Sequence, residues 1–464
     1  MDRDNKSQLP AAGLKDNWPE WLAAAIAAAV YIFLFDRYLL NDIDDTWTTS
    51  WVYYFIHDGQ MRDMIFMEQV PEYWGVRFFS HVFCLVYGSV LKLFGFTRAN
   101  VHSISNFFML CGFFLWYKIG YRLWKNRKTA ICLVLMLAFS TLCLSAANKG
   151  RSDAFIFFLQ SAALMLFIGK FYFSSVLVLC LAVETHPIGI LGGCYLAAYA
   201  VIYDKDLLLL KNRNGLIRLI AGGLAGIGIY LLLHHAELRN LPAMFKMSET
   251  PANFLYMHFF GRGHFPWRYW PDLFIFTLAA IWAVCRWKQE KRCSFPLAAT
   301  LFLLAGSFLI RRGNFHYALF CYPAFLMLAA DVFGQFRWKK IPLLLLLWAG
   351  IQLPQFAYLY HKNASCRDYP VYLDFLSGTE FPANAVIYGH PADWFGLQKY
   401  RGFRSLTHFH MPKSRFYLIE HDGTRYQQPD IKPVPKEKLQ LKKLKSIQLP
   451  SGGSIDILEA APIQ

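Results

Sequence analysis

Long apolar stretches that hold few charges alternate along the chain with short clusters of Lys and Arg. A helix needs about 20 apolar residues to cross a hydrocarbon core of roughly 30 Å, and many of these stretches approach that length. The pattern predicts membrane spans over Trp21–Leu40, Val101–Tyr121, Ala130–Ala147, Ala154–Gly169, Phe171–Glu184, Ile188–Tyr203 and Leu216–Leu233. Four more are expected over residues 272–286, 296–310, 317–334 and 341–360. The segment Met1 to Pro19 is polar, and no small-residue cleavage pattern follows the first apolar run. That run is therefore expected to remain as the first span.

Orientation follows from the basic clusters, because loops on the cytoplasmic side carry an excess of Lys and Arg. The clusters are Arg122, Lys125, Arg127 and Lys128; Lys205, Lys211, Arg213 and Arg218; Arg286, Lys288, Lys291 and Arg292; and Arg337, Lys339 and Lys340. With all four inside, an even number of spans separates consecutive clusters, and the turns at 148–153, 185–187, 234–271 and 311–316 fall outside. One run breaks the parity. Phe78 to Phe96 would add an odd crossing, yet it carries Ser80, His81, Ser89 and Lys92 and is less apolar than its neighbours. It reads as a helix lying on or dipping into the outer leaflet, within a first external loop covering residues 41–100, with an ordinary span and basic residues tolerated outside as the alternative. The expected fold is an α-helical polytopic membrane protein with about 11 transmembrane helices, juxtamembrane helices in that loop, and the N-terminus inside.

From about Tyr360 the pattern changes. Pro370, Pro382, Gly389 and Pro391 punctuate short β-like runs such as Ala385 to Tyr388 and Phe416 to Ile419. Residues 1–360 thus form a transmembrane part, and 361–464 a small external α/β domain. Its tail, Lys432 to Lys445, interleaves Lys with Leu and reads as a solvated face, with contact to anionic headgroups as the alternative.

Composition agrees with lipid as the solvent: 56% of the 464 residues are hydrophobic and 17% aromatic. A formal net charge of +16 would suit nucleic acid, but the cations sit in the short interspan clusters and mark topology instead. The ten cysteines are dispersed, mostly within apolar runs, and only Cys366 falls in the C-terminal segment, so no disulfide can form inside it.

Ionisable groups beside apolar spans are costly and mark function by default. The first external loop opens with Asn41-Asp42-Ile43-Asp44-Asp45-Thr46-Trp47 and continues to Pro71-Glu72-Tyr73-Trp74. Such carboxylates can supply a general base or hard oxygen ligands for a divalent cation; the simpler reading is a solvated loop with a helix cap. Company favours the first. Lys149, Arg151 and Asp153, then Glu184 and His186, then His234 and His235, then Arg311, Arg312 and His316 are all predicted at that same face. Two adjacent guanidinium groups at headgroup depth suit a phosphate, against the plainer reading of interfacial anchors. The His234–Trp270 loop is rich in aromatic residues and His, but no close metal-ligand spacing recurs among the His residues. Nor does the chain carry a phosphate-cradling glycine loop, so a nucleotide-sugar enzyme with a Rossmann core is unexpected and the donor should be membrane-borne.

These elements, in this order, resemble the GT-C superfamily of polyprenyl-phosphate-dependent glycosyltransferases, which includes protein O-mannosyltransferases and the lipid A aminoarabinose transferase. The acidic pair follows the first span, Arg151-Ser152-Asp153 lies outside a later one, His186-Pro187 precedes another, and Arg311 to Tyr317 is followed by Pro323. The resemblance runs over roughly residues 20–400 on short motifs. It implies a glycosyltransferase acting at the outer face of the inner membrane. The donor would be a hexosyl or pentosyl group on a polyprenyl phosphate, and the acceptor a glycan, lipid or protein. By position Asp44 or Asp45 matches the catalytic base. Arg151 and Asp153 match a second acidic motif near the active site, with Glu72 and His186 as further substrate-binding positions. Arg311, Arg312 and His316 suit the carrier phosphate by position and charge. Many relatives read Asp-Glu where this chain has Asp44-Asp45. If a divalent cation takes part, Asp44 and Asp153 would hold it; no cofactor is otherwise implied. A carboxylate would take the proton of an acceptor hydroxyl as it attacks the anomeric carbon, and direct displacement inverts that centre. The competing class is a secondary transporter or lipid flippase, but its charges belong near the midplane, whereas here they crowd the outer ends.

Overall fold

The computed structural model describes residues 18–34, 43–59, 61, 79–235, 254–260, 270–310, 315–337, 340–362, 368–406, 409–422, 434–450 and 452–463. The helices run in chain order as α1 (Trp18–Leu34), α2 (Ile43–Asp58), α3 (His81–Phe94), α4 (Arg98–Trp124), α5 (Arg127–Ala138) and α6 (Thr141–Ala147), then α7 (Asp153–Ile168), α8 (Tyr172–Thr185), α9 (Leu191–Tyr203), α10 (Lys205–Leu208) and α11 (Arg213–His234). Then come α12 (Phe254–Phe260), α13 (Trp270–Glu290), α14 (Phe295–Leu309), α15 (Tyr322–Gly334), α16 (Ile341–Lys362), α17 (Tyr369–Ser377) and α18 (Trp394–Leu397).

Among the described residues two helices are long and apolar enough to cross a membrane alone, Arg213–His234 and Pro342–His361, or three if one bent pair counts as a span. Seven further apolar helices are 10–17 residues long, and α4 and α13 are long enough but not apolar enough, so the eleven crossings expected from the apolar pattern are not reached on length and composition together. The shortfall has a visible cause at one place. The run expected at 317–334 begins with a 3-10 turn, Phe315–Phe320, that takes up residues before the α-helix starts, whereas the run at 188–203 stops at 17 residues with its 3-10 turn, Pro187–Ile190, included.

The expected span Ala130–Ala147 is broken: α5 and α6 meet at an angle of 63° across Phe139 and Ser140. A break inside an apolar bundle frees backbone groups that need partners. Gln352 of α16 supplies one, its Oε1 accepting both the amide (3.2 Å) and the hydroxyl (2.9 Å) of Thr141. Its Nε2 in turn donates to buried Asp272 of α13, which also accepts the Tyr322 hydroxyl. Helices α8 and α11 approach closely because α11 turns glycines to the contact. A Cβ on Gly222 would overlap the carbonyl oxygen of Phe173, and one on Gly226 the side chain of Cys180.

Helix α3 packs on α2, α4 and α8. It buries His81, Phe83, Cys84, Tyr87 and Leu91 on one side while Leu85, Leu93 and Phe94 stay exposed on the other.

The C-terminal part is a five-stranded sheet with order β2-β1-β3-β5-β4, built from β1 (Ile387–Gly389), β2 (Phe403–Ser405), β3 (Phe416–Asp422), β4 (Leu439–Gln448) and β5 (Ser454–Pro462). Strand β1 is parallel to β2 and β3; β5 is antiparallel to β3 and β4. The Lys-rich tail is edge strand β4, where exposed Lys442, Lys443 and Lys445 discourage edge-to-edge pairing. This domain sits on the first loop. Trp394 meets Tyr53 edge-on at 5.6 Å, Arg401 pairs with Asp58 at 2.9 Å, and Arg98 lies over the Tyr369 ring at 4.6 Å.

Candidate active site

Helix α2 begins at the acidic pair, and its first turn is fastened to the turn before α7. Asp45 is buried; its Oδ1 accepts the Gly150 amide at 2.7 Å and its Oδ2 lies 3.2 Å from Nε2 of buried His102 on α4. One helical turn on, the Thr48 hydroxyl donates to the Gly150 carbonyl at 2.7 Å. Gly150 suits this seat because a Cβ there would press on Val101 and Thr49. Asp44 belongs to the same turn of helix, but its side chain lies outside the described residues.

The next residue back carries a buried cation. Lys149 sends its ammonium to within 3.1 Å of Nε2 of His316, and its carbonyl accepts the Ser105 hydroxyl. Arg151 donates from Nε to Oδ2 of buried Asp153 at 2.9 Å, at the first residue of α7. Beside His316, the Tyr317 hydroxyl is 3.1 Å from Nε2 of His186. The amide of Ile188 donates to Nδ1 of His186, so the neutral ring carries its proton on Nε2 and that nitrogen donates to Tyr317.

Two residues before His186, Glu184 closes the end of α8 and caps α3. Its Oε1 accepts the His81 amide at 2.7 Å and its Oε2 the Val82 amide at 3.0 Å, a carboxylate at a helix N-terminus. The Ser80 amide and hydroxyl bond to the carbonyls of Glu184 and Thr185. His234, the last residue of α11, reaches the same carboxylate, with Nε2 3.1 Å from Oε1. Burial, with His234 alongside, pushes the His81 imidazole down to about 4.

Five residues singled out from the sequence, Asp45, Arg151, Asp153, His186 and His316, thus lie on one connected end of the bundle, linked through Gly150, Lys149 and Tyr317. Glu72, Arg311 and Arg312 lie outside the described residues. For a cation at Asp44 and Asp153, the structure offers Asp153 paired with Arg151. Among the described residues, the group of side chains spaced to hold a metal ion is instead His81, Glu184 and His234. Sequence reasoning set Lys149 and Glu184 at this face without a role and passed over His102. The signal for His102 was its position, a polar residue one step inside the outer end of a predicted span.

The helical bundle, with first-loop helix α3 packed on α2, α4 and α8 and a small C-terminal sheet domain joined to α2, has the GT-C fold. The particular likenesses are these. ArnT from Cupriavidus metallidurans in the apo state aligns with a TM-score of 0.65 at 14% identity, over 96% of this chain and 98% of that one. The same protein bound to undecaprenyl phosphate gives 0.64 at 13% identity, over 95% and 98%. The archaeal oligosaccharyltransferase AglB from Archaeoglobus fulgidus, in complex with an inhibitory peptide and a dolichol-phosphate, gives 0.54 at 12% identity, over 85% and 65%. No family model and no curated protein matches the chain.

Proposed function

We propose that the chain is a membrane glycosyltransferase that moves a hexosyl or pentosyl group from a polyprenyl phosphate to an acceptor hydroxyl, with inversion, at the external face of the inner membrane. The observation that carries this reading is the linked set of polar groups, most of them buried, at one end of the bundle. Asp45, Gly150, Lys149, His316, Tyr317 and His186 come from the first loop and three separate interhelix turns, yet join hand to hand. Two GT-C structures of similar shape carry undecaprenyl phosphate and dolichol-phosphate, which supports a lipid-phosphate donor here.

In this reading Asp44 is the base, because Asp45 already commits both oxygens to the protein. Asp44 takes the acceptor proton, the hydroxyl attacks the anomeric carbon, and the polyprenyl phosphate leaves. Lys149, Arg151 and His316, with Arg311 and Arg312 assigned the same role from the sequence, neutralise the phosphate as charge develops on the leaving oxygen. Glu72 and His186 are assigned to sugar binding, and eleven crossings carry the chain, with the N-terminus inside and the sheet domain outside.

The test is transfer from a radiolabelled polyprenyl-phosphate sugar pool by purified protein. Asp44→Asn is expected to lower the rate by about 100-fold or more, the usual worth of a general base, at unchanged expression and melting temperature. Wild-type rates in Asp44→Asn would sink the assignment. An envelope glycolipid and glycan profile unchanged by loss of the protein would sink the class.

A further inference from the structure

Within the polar end of the bundle, one group of side chains goes unused by the transfer chemistry. His81, Glu184 and His234 come from α3, α8 and α11, all three are buried, and their ligand-capable atoms lie within 4.8 Å of one another. We infer that these residues form a zinc site that clips the first-loop helix α3 to the ends of α8 and α11. The inference goes beyond the transferase reading and stands whether or not that reading holds.

The ligand chemistry selects the cation. Two imidazoles and one carboxylate suit Zn2+, which takes nitrogen and oxygen donors tetrahedrally, whereas Mg2+ and Ca2+ require oxygen-dominated shells. With metal–ligand bonds near 2.0–2.1 Å, donors around a tetrahedral zinc are separated by about 3.3 Å. Here Glu184 Oε1 is 3.1 Å from His234 Nε2 and 3.8 Å from His81 Nδ1, so a small inward turn of the His81 ring completes three corners. The two rings already meet edge to face at 4.2 Å.

The carboxylate is held for such a role. The amides of His81 and Val82 fix one lone pair on each oxygen of Glu184, and Oε1 keeps its second for the imidazoles, both of which approach that oxygen. Outer hydrogen bonds of this kind orient a ligand and are commonly worth 10-fold to 100-fold in metal affinity. A hydrogen-bonded trio of Glu184 with two neutral rings is the bland alternative. It explains the 3.1 Å contact, and it differs from the zinc site in predicting no metal affinity.

The experiment uses the full-length protein in detergent, free of any polyhistidine tag, stripped with chelator and dialysed against Zn2+. One tightly held zinc per chain is expected by elemental analysis, with a rise in melting temperature on loading. Co2+ in its place should give the strong visible bands of tetrahedral coordination. His234→Ala and His81→Ala should each weaken zinc binding by about 100-fold or more and abolish the thermal rise on loading, each read against the variant's own metal-free melting temperature. Should a variant fail to fold, the wild-type cobalt spectrum decides, since weak octahedral bands overturn the site. No stoichiometric zinc in the wild type, or binding unchanged in both variants, also overturns it.

Discussion

Asp45 holds two structural elements together with one side chain: its carboxylate joins the Gly150 amide to His102 in a buried setting. Hydrogen bonds to a charged acceptor contribute about 1.5–3 kcal/mol each, and leaving a buried donor unsatisfied costs the desolvation of that donor as well. Asp45→Asn keeps the shape but turns an amide group towards partners that are themselves donors. Its melting temperature is expected to fall by several degrees, with a loss of transfer that follows the loss of folded protein, measured by differential scanning fluorimetry beside the rate assay. A full melting temperature in Asp45→Asn with a collapsed rate would exchange the roles of the two aspartates. Sequence alone left both as candidates for the base, because adjacent carboxylates look alike until one of them is seen to face a turn 105 positions away.

Between elements the decisive contacts are of small residues. Gly222 lets the backbone of α11 meet the carbonyl of Phe173 on α8, while Gly228, six positions on, has open space where a Cβ would go. Forcing a side chain into a packed helix contact costs about 1–3 kcal/mol or more. Gly222→Leu is therefore expected to lower the melting temperature by several degrees and to shift His234 away from Glu184, whereas Gly228→Leu should leave it unchanged within error. Equal behaviour of the two would reject the close α8–α11 contact. The helices themselves were legible, since long apolar runs and basic clusters repeat along the chain. The break between α5 and α6 was not, because what permits it is Gln352, brought in by α16 from far along the sequence. The His81–Glu184–His234 group escaped for the same reason: metal sites are found in sequences by close spacing, and these three residues span most of the first half of the chain. The β-like runs Ala385 to Tyr388 and Phe416 to Ile419 do coincide with β1 and β3, where branched and aromatic residues crowd a buried sheet.

Across the whole molecule charge separates the two ends. At one end Arg127 pairs with Glu20 at 3.3 Å, Lys128 donates to the Phe336 carbonyl, and Arg286 reaches Asp331 at 3.3 Å, so the basic clusters after α4, α13 and α15 are tied to neighbouring elements. At the other end lie Asp45, Lys149, Asp153, Glu184 and His316, with the sheet domain beyond, joined to α2 through Asp58 and Arg401. Cytoplasmic loops are enriched in Lys and Arg, so the end bearing the clusters should be the inner one and the polar site the outer one. That assignment fits the proposed transfer, since a polyprenyl phosphate sugar presented at the external leaflet would reach only the second end. In intact cells, with the native cysteines replaced, Asp422→Cys should react with a membrane-impermeant maleimide and Lys128→Cys should react only after permeabilisation. The opposite labelling pattern would put the acidic loop inside, and a transferase fed from the external leaflet would no longer be tenable for this chain.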